Sequence, residues 1–209
     1  MSELAVKHMI VGAVATNCYL AMNTKTKEAL IIDPGDSAKR IAEIIKEEGV
    51  TPVAVLLTHG HFDHAMAAEE LAGEFQIPIY AHEKEQETLE TPRINLSGMI
   101  GQSLTFHADN YVKDGDVLNL AGFEIKVLHT PGHTLGGVCY YLEKEKVLFS
   151  GDTLFCQSVG RTDFPTGSSS TLIRSIKEKL MPLADDINVY TGHEDMTTIG
   201  MERKYNPFL

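Results

Sequence analysis

Short apolar runs alternate with polar breaks along the whole chain, and the period of that alternation distinguishes strands from helices. Residues 4–11, 18–22 and 29–32 are rich in β-branched and aliphatic side chains and predict three strands, the last two joined by a polar turn at 23–27. Asp33-Pro34-Gly35-Asp36 then marks a turn and supplies a helix cap before 38–48, where Ile41, Ile44 and Ile45 recur at helical spacing. An apolar strand at 53–57, a helix at 65–75, a strand at 77–81 and a charged helix at 83–89 follow, a βαβ order that predicts well-buried central strands. Residues 91–116 break the rhythm, with Pro92, Gly98, Gly101 and Gly115 among scattered apolar positions. A stretch of that length without periodicity is expected to be a rim or lid over a site, or else a weakly specified strand and its connector. The rhythm then resumes: hairpins at 117–120/123–128 and 137–142/147–149, a helix at 171–180 with Leu172, Ile173, Ile176 and Leu180 on one face, and a last strand at 187–190.

Length and composition narrow the partners. At 209 residues, with no linker-like stretch, the chain is expected to form one domain spanning residues 1–209. Lysine and arginine total 18 against 29 acidic residues, a formal charge of -11, which disfavours a nucleic-acid partner. Cys18, Cys139 and Cys156 are odd in number and show no Cys-x-x-Cys spacing, so a disulfide framework is not expected and a reducing cytoplasm fits best. Cys18 and Cys139 lie in apolar runs and read as core; Cys156 reads as packing, with a place at the site as the alternative. The run from Met9 to Ala15 imitates a signal peptide poorly, and no apolar stretch is long enough to span a membrane.

The candidate chemistry begins where strand 53–57 stops. Thr58-His59-Gly60-His61-Phe62-Asp63-His64 crowds three imidazoles and a carboxylate at a strand end. Such crowding is unfavourable unless a divalent metal holds it together. In an extended segment His59 and His61 point the same way and can share one ion, whereas Asp63 and His64, on the helix that starts there, turn toward a second. The same grammar recurs three times: an apolar strand stops, a glycine appears, and His133, Asp152 or His193 follows. Together these residues complete two coordination sets. His59, His61 and His133 would hold one ion, Asp63, His64 and His193 the other, and Asp152 would bridge them, since a carboxylate can give one oxygen to each. Nitrogen and carboxylate ligands without thiolate suit zinc, with iron and manganese as substitutes. His129 reads as a strand-end residue or a support behind the ligands, His82 as a cap or surface residue, and His107 as no ligand. Asp33 by spacing alone is a turn residue.

His59-Gly60-His61-Phe62-Asp63-His64, taken with Thr130-Pro131-Gly132-His133, Gly151-Asp152-Thr153-Leu154-Phe155 and Thr191-Gly192-His193, resembles the metallo-β-lactamase-fold superfamily from Asn17 to the end. The resemblance implies an α+β fold, a four-layer αββα sandwich of two similar halves with metals at one edge, and it makes Asp33 a support beside the site. Gly151–Phe155 and Gly160-Arg161-Thr162-Asp163-Phe164 most resemble the glyoxalase II branch and the related persulfide dioxygenases. The C-terminal helical segment that contributes to glutathione binding in full-length glyoxalase II is reduced here to residues 196–209, so the chain resembles a short, single-domain type. The expected activity is hydrolysis of a small-molecule thioester such as S-lactoylglutathione. Two divalent metal ions would lower the pKa of a shared water toward about 7, giving a bridging hydroxide, with Asp63 and Asp152 as the catalytic carboxylates. Arg161 either pairs with a substrate carboxylate or fixes its own loop through Asp163. The alternatives are a mononuclear iron persulfide dioxygenase using His59, His133 and Asp152, a lactone or ester hydrolase, and a non-catalytic metal-binding domain. Asp152, where many lactamases carry cysteine, lowers the expectation of β-lactam cleavage. No membrane partner is expected.

Overall fold

The computed structural model describes residues 3–209. Its first half contains β1 (Leu4–Val11), β2 (Thr16–Asn23), β3 (Glu28–Ile32), α1 (Ala38–Glu48), β4 (Thr51–Leu56), α2 (Phe62–Ala65), α3 (Ala68–Phe75), β5 (Ile79–His82), α4 (Gln86–Glu90) and β6 (Asn110–Val112). The second half contains β7 (Val117–Leu120), β8 (Phe123–His129), β9 (Val138–Leu142), β10 (Val147–Gly151), β11 (Leu154–Phe155), β12 (Ser158–Val159), α5 (Ser169–Ser175), β13 (Asn188–Thr191), β14 (Thr197–Thr198) and α6 (Ile199–Tyr205). One sheet runs β1-β2-β3-β4-β5-β6 and the other β14-β13-β10-β9-β8-β7. Each starts as an antiparallel meander and adds parallel strands through helical crossovers: β3 to β4 in the first sheet, β10 to β13 in the second.

The alternation of side chains along each strand dictates the layering. In the first sheet Cys18, Leu20, Ala29, Ile31, Val55 and Leu57 pack toward α1 and α3, joined by Ile41, Ile45 and Leu71 from those helices. Their neighbours Tyr19, Ala21, Leu30, Ile32, Ala54 and Leu56 meet Phe123, Ile125, Val127, Tyr140 and Phe149 of the second sheet. Cys139, Leu148 and Val189 on the outer face of that sheet pack with Leu172, Ile176 and Leu180. Helix, sheet, sheet and helix therefore stack as four layers, the αββα sandwich expected. Central strands buried on both faces read as unbroken apolar runs for this reason, each Leu or Ile contributing about 1.5–3 kcal/mol of burial.

Local departures from expectation have local causes. The single helix expected over 65–75 is two helices, because the Ala67 N–H leaves the helical ladder to donate to the Pro34 carbonyl at 2.9 Å. The cap of α1 is Ser37, held at φ 61 without a side-chain capping bond, and Asp36 bonds Ser37 rather than the helix N–H groups. Residues 91–116 contain a 3₁₀ turn at Ser97–Ile100 and also supply β6, the parallel edge strand beside β5, too short to show a period. The helix expected over 171–180 begins at Ser169 and changes to a wider π turn at Ile176–Leu180. His82 does cap, accepting from the Lys84 N–H at 3.2 Å, but it is buried and stacked on His129 rather than on the surface.

Two tyrosines bind the halves together at their strand ends. Tyr19 of β2 donates its hydroxyl to the Thr191 carbonyl at the end of β13, at 2.7 Å, and Tyr140 of β9 donates to the Leu57 carbonyl just past β4, at 2.9 Å. Val138 N–H to the Thr58 carbonyl (2.9 Å) and Asn17 N–H to the Gly192 carbonyl (2.8 Å) add backbone bonds at the same places. The strand ends fixed in this way are those from which the site is built.

Candidate metal centre

The carboxyl ends of β4, β8, β10 and β13 converge on one edge of the sandwich. β4 leads into the His59-Gly60-His61 loop and then into α2, whose first turn presents Asp63 and His64; β8 leads to His133, β10 to Asp152 and β13 to His193. Asp152 and His193 emerge side by side because β10 and β13 are parallel neighbours, with the Gly192 N–H donating to the Gly151 carbonyl at 2.9 Å. Gly192 is required by this approach: a Cβ there would run into Asp152 Oδ1 and lie 3.0 Å from His64 Cε1.

The seven candidate ligand residues lie together at this edge, in overlapping groups that include His59/His61/His133, Asp63/His64/His193 and His59/His64/Asp152. His59 Nε2 and His133 Nε2 lie 3.1 and 3.0 Å from His61 Nδ1, and the three rings stand almost mutually perpendicular at 83–85°. Asp63 Oδ2, His64 Nε2 and His193 Nε2 form a second group with separations of 3.3–3.5 Å. Asp152 stands between them, Oδ1 3.4 Å from His64 Nε2 and Oδ2 3.4 Å from His133 Nε2. Ligands sharing a tetrahedral ion with bonds of about 2.05 Å are roughly 3.4 Å apart; the second group has this spacing, and the first, at 3.0–3.1 Å, is slightly tighter around its centre. The buried Asp152 Oδ1 has no hydrogen-bond partner among the described residues, an orphaned oxygen that an ion would satisfy. Each group could hold a divalent metal ion.

The opposite sides of the rings are fixed by acceptors. Asp33, at φ 49, accepts from Thr58 N–H (2.7 Å), Thr58 Oγ1 (2.6 Å) and His64 Nδ1 (3.0 Å). Since the Thr58 hydroxyl is donated to Asp33, it accepts from His59 Nδ1 at 3.2 Å. His133 Nδ1 donates to the Arg161 carbonyl at 2.7 Å. His59, His64 and His133 are thereby set in the tautomer that leaves Nε2 free, the usual function of supports behind a metal ligand. Asp33 is thus a brace under the ligands, beyond the turn its spacing alone suggests.

Charge follows the geometry. Burial, then the neighbouring imidazoles, hold His59 well below the ordinary value, and burial and His133 do the same for His61. Burial also pushes His64 down, but Asp152, Asp63 and Asp33 together outweigh it and raise the group to about 10. Asp63 is pushed up by burial and pulled down further by His64 and His193, to a net position below the usual carboxylate range. The neutral His59 and His61 imidazoles and the carboxylates of Asp63, Asp152 and Asp33 favour a cation, which would take the place of the proton that His64 otherwise holds.

Several contributors lay outside the sequence reading. Glu85, fully buried, accepts from the Gly60 N–H through Oε2 (2.8 Å) and from the Gly136 N–H through Oε1 (2.6 Å), so one carboxylate braces both the His59/His61 loop and the loop after His133. Thr16 Oγ1 donates to Asp63 Oδ2 at 3.0 Å, and the Asn17 amide donates to the Glu194 carbonyl at 2.9 Å beside His193. Glu202 of α6, also fully buried, accepts from the Gln157 N–H at 2.8 Å and ties the C-terminal helix to the β11–β12 hairpin. His129 stacks on His82 at 4.2 Å and His107 pairs with Glu69 at 3.1 Å, neither within the ligand groups. Cys18 and Cys139 are core residues, and Cys156 does not line the cleft.

Above the ligands opens a cleft of about 590 Å³, walled by Val14, Phe62, Leu96, Met99, Ile100, Phe155, Val159 and Phe164. Residues 96–100 form one side of it, the rim expected of the segment 91–116. Arg161 lines the mouth, and its Nε and Nη2 donate to Asp163 at 2.8 and 2.7 Å while the guanidinium lies 3.9 Å over the Phe164 ring. Of the two roles foreseen for Arg161, the contact with its own loop through Asp163 is the one formed, on a side chain that also lines the cleft.

A family model described as the metallo-beta-lactamase superfamily matches residues 11–193. Hydroxyacylglutathione hydrolase GloC of Haemophilus influenzae is 42% identical over 202 residues, covering 95% of each chain. Among solved structures, BLEG-1 B3 metallo-beta-lactamase superposes with a TM-score of 0.94 at 44% identity, covering 98% of this chain and 99% of that one. TTHA1623 in a di-iron-bound form superposes with a TM-score of 0.85 at 32% identity, covering 97% and 100%.

Proposed function

The chain belongs to the metallo-beta-lactamase superfamily, and from that premise we propose that it is a dinuclear metal-dependent hydrolase cleaving thioesters of the S-lactoylglutathione type. The observation that carries this reading is Asp152 set between two three-residue ligand groups at the floor of an open cleft. Similarity to a hydroxyacylglutathione hydrolase supports the thioester class. Zinc suits the donor set, and similarity to a structure with two irons supports iron as the substitute.

Ions held by His59, His61, His133 and by Asp63, His64, His193 would supply Lewis acidity toward a carbonyl oxygen and lower the pKa of water toward about 7. The chain's own part is orientation. Asp63 keeps one oxygen aligned through the Thr16 hydroxyl, so its carboxylate has a fixed direction in which to accept a proton from an attacking water. Asp152 holds the two ligand groups at a common spacing, and Gly192 leaves it the room to do so. Phe155 and Phe164 line the cleft beside the ligand groups and give the reacting carbonyl an apolar wall. A thiolate leaves readily, so no dedicated general acid is required.

Elemental analysis of the purified protein, with thiol release from S-lactoylglutathione followed in air and under nitrogen, tests the reading. Two metals per chain and oxygen-independent thiol release are expected; one iron with oxygen uptake would replace it with the persulfide dioxygenase alternative. Similarity to a protein named as a B3 metallo-beta-lactamase favours a second reading, β-lactam hydrolysis on the same floor. A chromogenic β-lactam assayed beside the thioester separates the two.

A further inference from the structure

The cleft walls carry information about the substrate that the ligands do not. Met99 and Ile100 of the 3₁₀ turn and Val14 of the β1–β2 turn are exposed by 70, 42 and 48%, yet all three lean on the same opening. Phe155, Val159 and Phe164 continue the apolar surface inward toward the ligands. Isolated exposed apolar residues need no explanation, but a convergent set at the mouth of a reaction site does.

The charged groups point the same way. Besides the metal-facing Asp63 and Asp152, the charged side chains lining the cleft are Glu194 and Arg161. Arg161 is the one Lys or Arg among them, and its fork is already closed on Asp163. Charge on bound ions would be met by Asp63, Asp152 and Asp33 and directed at the reacting carbonyl. A glutathione thiol brings two carboxylates, and a chain of formal charge -11 with Glu194 at the rim offers them no unpaired cation among the described cleft residues.

Resting on the thioesterase reading above, we propose that the cleft selects its substrate by an apolar acyl group larger than lactoyl, and that the thiol portion is recognised weakly whatever its charge. In the reaction a water oxygen bonds to the acyl carbon, the carbon–sulfur bond breaks, and the sulfur leaves as thiolate and takes one of the water's protons while the other is released to solvent, giving a fatty or aromatic carboxylate and a free thiol.

The test uses metal-loaded enzyme and a series of N-acetylcysteamine thioesters from acetyl through butyryl and hexanoyl to octanoyl. The expected kcat/KM rises about two- to fourfold per methylene until the cleft is filled, and hexanoyl-glutathione is turned over within about threefold of its N-acetylcysteamine counterpart. The double variant Met99→Ser/Ile100→Ser, altered only at exposed positions, is expected to flatten the series through KM. Thiol release that is indifferent to acyl length, or a tenfold or greater preference for the glutathione ester, overturns the proposal while leaving a thioesterase standing. No thiol release from any member overturns both.

Discussion

Replacing Glu85 tests whether a buried carboxylate remote from the cleft governs metal binding. Its two oxygens take the Gly60 and Gly136 N–H groups, one from each of the loops that present His59, His61 and His133. In Glu85→Ala both N–H groups are left buried and unpaired, at about 1–3 kcal/mol each. Removing a buried charge returns part of this, because burial pushes the Glu85 carboxyl above its ordinary value. A net loss of about 2–4 kcal/mol follows, which lowers Tm by roughly 5–15 °C for a chain of this size. Glu85→Gln keeps one acceptor but turns an NH₂ toward the other N–H, so its loss should lie between wild type and Ala. The decisive measurement is metal affinity by competition with a chromophoric chelator. We expect the His59/His61/His133 group to weaken by about 10–100-fold in Glu85→Ala, with the Asp63/His64/His193 group affected less. If stability falls but both affinities stay at the wild-type value, Glu85 is a packing residue and the bracing argument fails.

Four further outcomes follow from the same geometry. Asp63→Ala should depress both metal content and turnover; full retention of both would refute its assigned place. Gly192→Ala drives a Cβ into the Asp152 carboxylate, so bound metal should fall in elemental analysis while the far-ultraviolet spectrum stays that of the wild type. Arg161→Ala should change KM for an acyl-glutathione no more than for an uncharged thioester, since the guanidinium is already paired with Asp163; a selective rise for the anionic substrate would give Arg161 a binding role. In chelator-treated protein, His59 and His61 lie below their ordinary 6.5 when folded, so the stability they contribute is present above about 6.5 and lost as pH falls below it. His64, raised to about 10, has the opposite sign: its contribution is full below about 6.5 and disappears as pH rises toward 10. The urea midpoint of stripped protein should therefore peak near neutral pH, and a midpoint climbing steadily to pH 9 would contradict this.

The candidate ligands were readable because their chemistry and local grammar coincide: His133, Asp152 and His193 each follow a glycine beyond an apolar strand, and His59 stands just past the end of one. The layers were readable for a related reason, since strands buried on both faces leave unbroken apolar runs such as Ala29–Ile32. What sequence could not reveal depends on approach through space. Glu85 sits among Glu83, Lys84 and Glu87 and looks like one more acid on a charged helix; only folding brings two glycine N–H groups to it. The Arg161 atom that orients His133 is a backbone carbonyl, which side-chain identity cannot disclose. The break in helix 65–75 leaves no trace in the local pattern because the competing acceptor, Pro34, is remote in sequence. β6 has three residues, fewer than a period of two needs to become visible.

The crossed tyrosines have a kinetic meaning. Tyr19 reaches a carbonyl 172 positions away and Tyr140 one 83 positions away, each in the opposite half of the chain. Closures over such separations carry the entropy of the long loops they span, a cost that slows folding as a whole. Neither half alone can aim its strand ends, so two separately produced halves should bind metal feebly and recover the ion only when mixed. Uptake of metal would then serve as the chain's own signal that assembly is finished.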